Sequence, residues 1–386
     1  MARHDFDVIV AGGGLGGSAL ARTLADNGCR VLVVEREREF KDRVRGEWIA
    51  PWGVAETQKL GIYDLLMGTC AHEQPFFHFA GFGPPRDLRS TTPSGQSAIA
   101  FSHPAMQEVM LDAAKRAGAE VWRGATVRQV KPGDTPATVI EIDGGVRELS
   151  ARLVVCADGR TTMGRKCGSF ATLRAPQKLF GAGLMLSGML IASDTTVAIL
   201  RPGIQRVVLL LPQPDGRARV FMIYSPDEVD RLQGEGDAGR FVEECIRSGA
   251  AAENFAGASA CGPLASFDMT ENWVDHPYRD GIALIGDAAG VTDPTWGQGL
   301  ALTTRDARVL GEHLLASEDW SAAAHAYAAE RDDYFGAMLR ANGWQFELLL
   351  QTGPRAEACR ARALPLLAQD QSRDLDHNFA GPEMPC

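Results

Sequence analysis

Gly12, Gly14 and Gly17 stand in the run Val8-Ile9-Val10-Ala11-Gly12-Gly13-Gly14-Leu15-Gly16-Gly17, the G-x-G-x-x-G spacing of a dinucleotide site. One glycine makes a tight turn, one lets the backbone approach a pyrophosphate, and one allows a helix to pack closely on a strand. Glu35 follows 18 residues after Gly17. Its carboxylate could accept from both hydroxyls of an adenosine ribose and disfavours a 2′-phosphate, so the resident nucleotide should be FAD or NAD.

The elements that must position these residues are legible around them. Asp7–Ala11 reads as an apolar strand, Leu15 onward as a helix whose free N–H groups and dipole face the phosphates, and Arg30–Val34 as the strand that delivers Glu35. His103-Pro104 opens an amphipathic helix with Met106, Val109, Met110 and Ala113 on one face. Leu153–Ala157 is an apolar strand running into Asp158-Gly159-Arg160, and Gly281–Ile285 is another, running into Gly286-Asp287. Between about 180 and 270 the pattern changes. Apolar runs at Gly183–Ile191, Val197–Leu200, Val207–Leu211 and Val220–Tyr224 alternate with Pro, Gly and Asp turns, as in an antiparallel sheet. A helix is expected near Ala238–Ser248 and another from about Gly299. Trp320 to about Leu350 reads as strongly helical, and the last residues look loose.

The expected fold is therefore α/β with an α+β insertion. A Rossmann-like FAD-binding domain (1–74, 98–178 and 272–318) carries an inserted antiparallel-sheet substrate domain (75–97 and 179–271), and a helical C-terminal segment (319–386) follows. The 386 residues suffice for a large core, and a charged fraction of 23% is that of an ordinary globular chain. A net charge of −10 argues against nucleic acid or an anionic membrane as partner. No apolar run is long enough to span a bilayer and no signal-peptide core precedes the first strand, which leads us to expect a cytoplasmic protein. The eight cysteines are scattered without a C-x-x-C pair, so neither a metal site nor a redox dithiol is expected.

Taken together, three separated motifs make the chain resemble the FAD-dependent aromatic hydroxylases, the class A flavoprotein monooxygenases of the para-hydroxybenzoate hydroxylase type. These are the glycine turn with Glu35, the Asp-Gly motif in Cys156–Arg160, and the Gly-Asp motif running from Gly286 through Asp293-Pro294 to Gly297-Gln298-Gly299-Leu300. The resemblance spans roughly residues 5–315. It implies a non-covalent FAD reduced by NADPH or NADH, then O2 activation through a flavin C4a-hydroperoxide. One oxygen atom would be inserted into a small aromatic or polycyclic substrate. By the same resemblance Asp287 would hold the ribityl chain, with Gly286 beside it. The helix starting at Gly297–Leu300, Gln298 included, would aim N–H groups at the flavin. Pro294 would sit at the reactive face. Arg45 is implied for the pyrophosphate or a mobile flavin, Asp158 for the pyrophosphate region, and Arg36 and Gln107 for further cofactor contacts.

Plainer readings stand beside these. Asp158-Gly159 could be a strand-ending turn, Arg45 part of a solvated charge run, and Gln107 a helix-surface residue. The substrate should lie between flavin and sheet, lined by Met185, Met222, Tyr224 and Trp296. Methionines and aromatics on strands are more often core, but Trp296 sits in the flavin loop. His78 could deprotonate a phenol, although a lone histidine in an apolar stretch is more often structural. Gly290 follows Gly-Asp-Ala-Ala where many hydroxylases have histidine. Arg45-Gly46-Glu47 and Asp287–Gly290 are also similar to geranylgeranyl reductases and flavin-dependent halogenases. The absence of lysine between Lys59 and Lys115 and of a W-x-W-x-I-P motif weighs against a halogenase. A non-catalytic flavin binder or a plain NAD-dependent dehydrogenase has little use for all three motifs.

Overall fold

The runs Val8–Ala11, Val31–Val34 and Leu153–Cys156 are continuously apolar and buried, as strands covered on both faces must be. In the computed structural model, which describes residues 4–160, 162–176, 179–367, 369 and 379–383, they form the centre of a parallel sheet. Phe6–Ala11 lies between Val31–Glu35 and Gly145–Cys156, with Glu120–Arg123 outside the former and Ile282–Leu284 outside the latter. The register aligns Ala11 with Val34 and Cys156, and Cys156 with Leu284. All four strands thus end at one edge, where the chain continues into Gly12, Glu35, Ala157-Asp158 and Gly286. Ligands of open α/β sheets bind at this carboxyl edge.

Helix Leu15–Asp26 packs against both His103–Arg116 and Gly299–Leu315. The 30-residue helix Trp320–Leu349 lies along the last of them, burying Tyr327, Tyr334 and Phe335. No helix among the described residues is long and apolar enough to cross a membrane.

A second eight-stranded sheet is built from Phe180–Ser187, Arg217–Tyr224, Arg206–Pro212, Thr195–Arg201 and Phe76–Ala80 in spatial order, with short strands at its edges. It is antiparallel except where Phe76–Ala80 runs parallel to Thr195–Arg201. One face packs on helix Ala238–Arg247 through Met222, Tyr224, Phe241 and Cys245. The other face turns towards the parallel sheet and leaves a cleft between them.

The expectation of a loose end after the long helix is corrected at residues 379–383. Phe379, Ala380 and Gly381 are buried. Aromatic contacts that no local periodicity reveals hold them there.

Candidate active site

One continuous cavity of about 1120 Å³ runs from the glycine turn to the second sheet. That exceeds the room one drug-sized ligand usually needs. At its first end the glycines are sterically required. Gly12 has φ +105°, and a Cβ there would come within 2.5 Å of the Ala157 carbonyl oxygen. A Cβ on Gly17 would lie 2.0 Å from the Gly12 oxygen, so Gly17 serves helix–strand packing and does not face the cavity. Gly14 opens the helix at the cavity wall, with the Gln107 amide close by.

Glu35 lines the same end with both carboxylate oxygens engaged. Oε2 accepts from the Gly13 amide and Oε1 from the Glu37 amide, each at 2.8 Å. The carboxylate therefore shapes the turn as well as facing the cleft. Arg36 also reaches the cleft and pairs with Glu37 at 3.3 Å. Asp158 accepts from the Met163 amide at 2.9 Å through Oδ2, while Oδ1 is buried without a partner and burial raises the carboxyl's pKa.

Asp287 faces the cleft and pairs with Arg160 at 3.4 Å. Its backbone is clamped by Arg165, which donates to the Ala288 oxygen at 2.7 Å and the Asp287 oxygen at 3.2 Å. The Gly286 amide donates to Asp306 at 2.7 Å, and Asp306 also accepts from Arg331 at 3.1 Å and Tyr334 at 2.5 Å. Sequence reasoning missed this buried group. Asp306 stands among Thr303, Thr304, Arg305 and Arg308 in helix Gly299–Leu315, so nothing local marks it as buried.

The turn Pro294–Trp296 lies where the cleft meets the second sheet, with Pro294, Trp296, Gly297, Gly299 and Leu300 on the wall. Asp293 caps the turn by accepting from the Thr295 amide at 2.9 Å. Its own amide donates to Glu271 at 2.9 Å. Burial pushes Asp293 up to about 6 and raises Glu271 as well. Gln298 stands off the cavity lining, and only its backbone is left to serve a cofactor. Its side chain is buried, accepting from Trp52 Nε1 and donating to the Trp296 oxygen, each at 2.7 Å, and it holds the loop from behind.

Arg45 reaches the cleft after Val44, which adopts φ +54°. Burial lowers its pKa, and the Asp287 carboxylate works the other way. Behind it, His103 donates from Nδ1 to the Gly46 oxygen at 2.7 Å, and burial depresses His103 to about 4. Glu47, salt-bridged to buried Arg219, and His103 are marked in the sequence only as part of the Arg45–Glu47 run and as a helix start, not as site residues.

At the far end Thr196, Ala198, Leu200, Val207, Leu209, Leu211, Phe221 and Ile223 face the cavity from the second sheet, joined by Phe77 and Phe79. Four sequence expectations fail here. Successive strand residues point to opposite faces. Met222 and Tyr224 alternate with Phe221 and Ile223 and therefore lie in the core under helix Ala238–Arg247, where the Tyr224 hydroxyl accepts from the Leu232 amide. His78, between Phe77 and Phe79, likewise faces away from the cavity. Met185 sits beyond the lining, in register with Arg219 and packed by Gly262.

The FAD binding domain family matches residues 5–341. The chain belongs to that family. The resemblance to the class A flavoprotein monooxygenases is borne out with it. Among curated relatives, squalene monooxygenase of Mus musculus is 25% identical over 366 residues, covering 90% of this chain but 61% of that protein. Digeranylgeranylglycerophospholipid reductase 2 of Methanopyrus kandleri is 27% identical and covers 87% of this chain and 81% of its own. The 6-methylpretetramide 4-monooxygenase of Streptomyces rimosus is 27% identical, with 94% and 89% covered. The fold is shared with p-nitrophenol 4-monooxygenase of Pseudomonas putida at a TM-score of 0.80, with 18% identity and 97% and 98% of the two chains covered.

Proposed function

We propose that this protein is an FAD-dependent monooxygenase that inserts one atom of O2 into an uncharged aromatic or polycyclic molecule, with NADPH or NADH as reductant. A single observation carries the reading. The nucleotide end and a carbon-lined chamber are one cavity, and they meet at the Pro294–Leu300 loop. The residues fit FAD. Gly14 leaves the helix start open, Glu35 faces the ribose end, and Asp158 retains a buried oxygen without a partner. When bound and reduced, the flavin supplies the chemistry that activates O2, and the overall balance is R–H + O2 + NAD(P)H + H⁺ giving R–OH + H2O + NAD(P)⁺.

The chain's own residues bind, orient and exclude water. Gly12, Gly14, Arg36, Gln107 and Asp158 hold the dinucleotide, and Asp287, Gly286 and Arg45 its middle. The N-terminus of helix Gly299–Leu315 presents N–H groups where negative charge collects on a reduced ring. Pro294 and Trp296 form the floor on which the substrate rests. Among the cavity residues of strands 195–201, 206–212 and 217–224, only Thr196 is polar, and its hydroxyl donates to Gln74. Such a wall favours a substrate without charge, because an unpaired charge there would be desolvated at high cost.

A second reading, an FAD-dependent reductase of isoprenoid double bonds, draws support from the same apolar wall and from the similarity to the Methanopyrus reductase. Incubation of the FAD-loaded protein with NADPH, 18O2 and hydroxynaphthalenes separates the two. A hydroxylated product carrying one 18O atom is expected. Saturation of a polyprenyl probe with no 18O in any product would overturn the monooxygenase reading.

A further inference from the structure

We propose that Phe379 is a specificity-determining residue that closes the substrate chamber and sets the size of ring system it admits. The inference rests on the aromatic-substrate reading above and adds a residue lying well beyond the three nucleotide motifs.

Phe379 lines the cavity and is 3% exposed. Its ring centroid lies 4.8 Å from that of Phe77, 5.2 Å from Trp48 and 6.3 Å from Phe79. Phe77 and Phe79 belong to the second sheet. Trp48 belongs to the segment that abuts the flavin loop, where a Cβ on Gly297 would meet its ring at 3.1 Å. Phe379 thus fills the gap between the sheet and the loop, and its ring occupies a place that a substrate ring could otherwise take.

The short segment carrying it is fastened at two points, to helices Pro51–Lys59 and Gly299–Leu315. Gly381 packs flat on Trp52, with no room for a side chain, since a Cβ there would come within 2.7 Å of the indole. Trp52 in turn holds Gln298 behind the flavin loop. Glu383 forms an ion pair with Arg305 on helix Gly299–Leu315. A merely space-filling terminus would not need a glycine fitted to an indole and an ion pair to the helix that opens at the flavin. These contacts fix the Phe379 ring relative to the reacting centre, as a size filter requires. Differences of one ring in an apolar pocket discriminate by factors of ten or more.

Binding of 1-naphthol and of 1-hydroxypyrene to the FAD-loaded protein, followed by fluorescence, tests this without relying on turnover. Phe379→Ala should shift the ratio of the two affinities about tenfold towards 1-hydroxypyrene, and Phe379→Trp should shift it towards 1-naphthol. Glu383→Gln removes no ring but loosens the segment that holds Phe379, and should move the ratio in the direction of Phe379→Ala but less. If Phe379→Ala does not fold, Phe379→Leu carries the same readout. Equal loss of both probes, or an unchanged ratio in the variants, would overturn the role of Phe379 while leaving the aromatic-substrate reading intact. Failure of both probes to bind the unsubstituted protein would overturn both.

Discussion

The Arg219 guanidinium grips Glu47 with two hydrogen bonds, Nε to Oε2 at 2.8 Å and Nη2 to Oε1 at 3.2 Å, and reaches Asp42 at 2.6 Å. Arg219 sits on a central strand of the second sheet. Asp42 and Glu47 flank Arg45 in the segment that borders the cleft. A buried ion pair therefore joins the two halves of the site. Burial pushes Glu47 up, and the guanidinium opposes it. Arg219→Met strands the Glu47 carboxylate and should cost about 3–5 kcal/mol. Arg219→Met combined with Glu47→Leu should recover most of that loss in urea unfolding, because no uncompensated charge remains. A double variant as unstable as the single one would show that the pair's geometry, not its charge balance, is what the fold needs.

Glu35 holds the Gly13 and Glu37 amides and lines the cleft, and in the proposed FAD site it would also accept from the ribose. Glu35→Ala should therefore weaken FAD binding by about 10–100-fold, the equivalent of one or two charge-assisted hydrogen bonds. Titration of apoprotein with FAD measures it. A loss of affinity without change in the apoprotein's melting temperature would assign the carboxylate to the ribose alone. A fall in both is the outcome expected from the two amide bonds.

Asp293 sets a pH dependence with a definite sign. Its folded pKa is pushed up to about 6 from the ordinary 3.8. The folded state thus holds the proton more tightly than the unfolded chain, and this group's contribution to stability falls as pH rises from about 4 to 6. Asp293→Asn keeps an oxygen to accept from the Thr295 amide and removes the buried charge. Its stability advantage should be absent below about pH 4, grow between 4 and 6, and level off at about 3 kcal/mol above that. His103, depressed to about 4, acts in the opposite sense, since its contribution is lost as pH falls from 6.5 towards 4. Unfolding curves of Asp293→Asn and the unsubstituted protein at pH 5 and 7.5 check the slope. An advantage that shrinks as pH rises would refute the assignment.

What was legible in the chain follows physical locality. Gly12, Gly17 and Glu35 are readable because a turn, a close packing contact and a strand end lie within one βαβ unit, and each requirement falls on a fixed position. Asp158 and Asp287 were readable for a related reason, as each directly follows an apolar strand of the same sheet. Asp306 and Arg331 lie 25 residues apart on two helices, and only their packing makes them an ion pair. Phe379 carries no periodic signal at all. Its burial depends on three rings from distant segments. The strand Arg217–Tyr224 shows a subtler limit. Both faces of its sheet are covered, so Phe221-Met222-Ile223-Tyr224 is apolar throughout and nothing in the run says which pair faces the ligand.

That parity can be tested directly. Phe221 and Ile223 face the cavity, whereas Met222 is fully buried beneath helix Ala238–Arg247. Met222→Ala opens a hole in a closed core and should cost about 2–5 kcal/mol of stability. The relative affinities of 1-naphthol and 1-hydroxypyrene should not change. Phe221→Ala borders a cavity that solvent or ligand can fill, so its stability cost should be smaller, while the affinity ratio should move. Denaturation and probe binding on the two variants give a crossed pattern if the strand faces the cleft as described. Exchange of the two phenotypes would mean that the strand is turned over by one residue, with Met222 and Tyr224 on the ligand side.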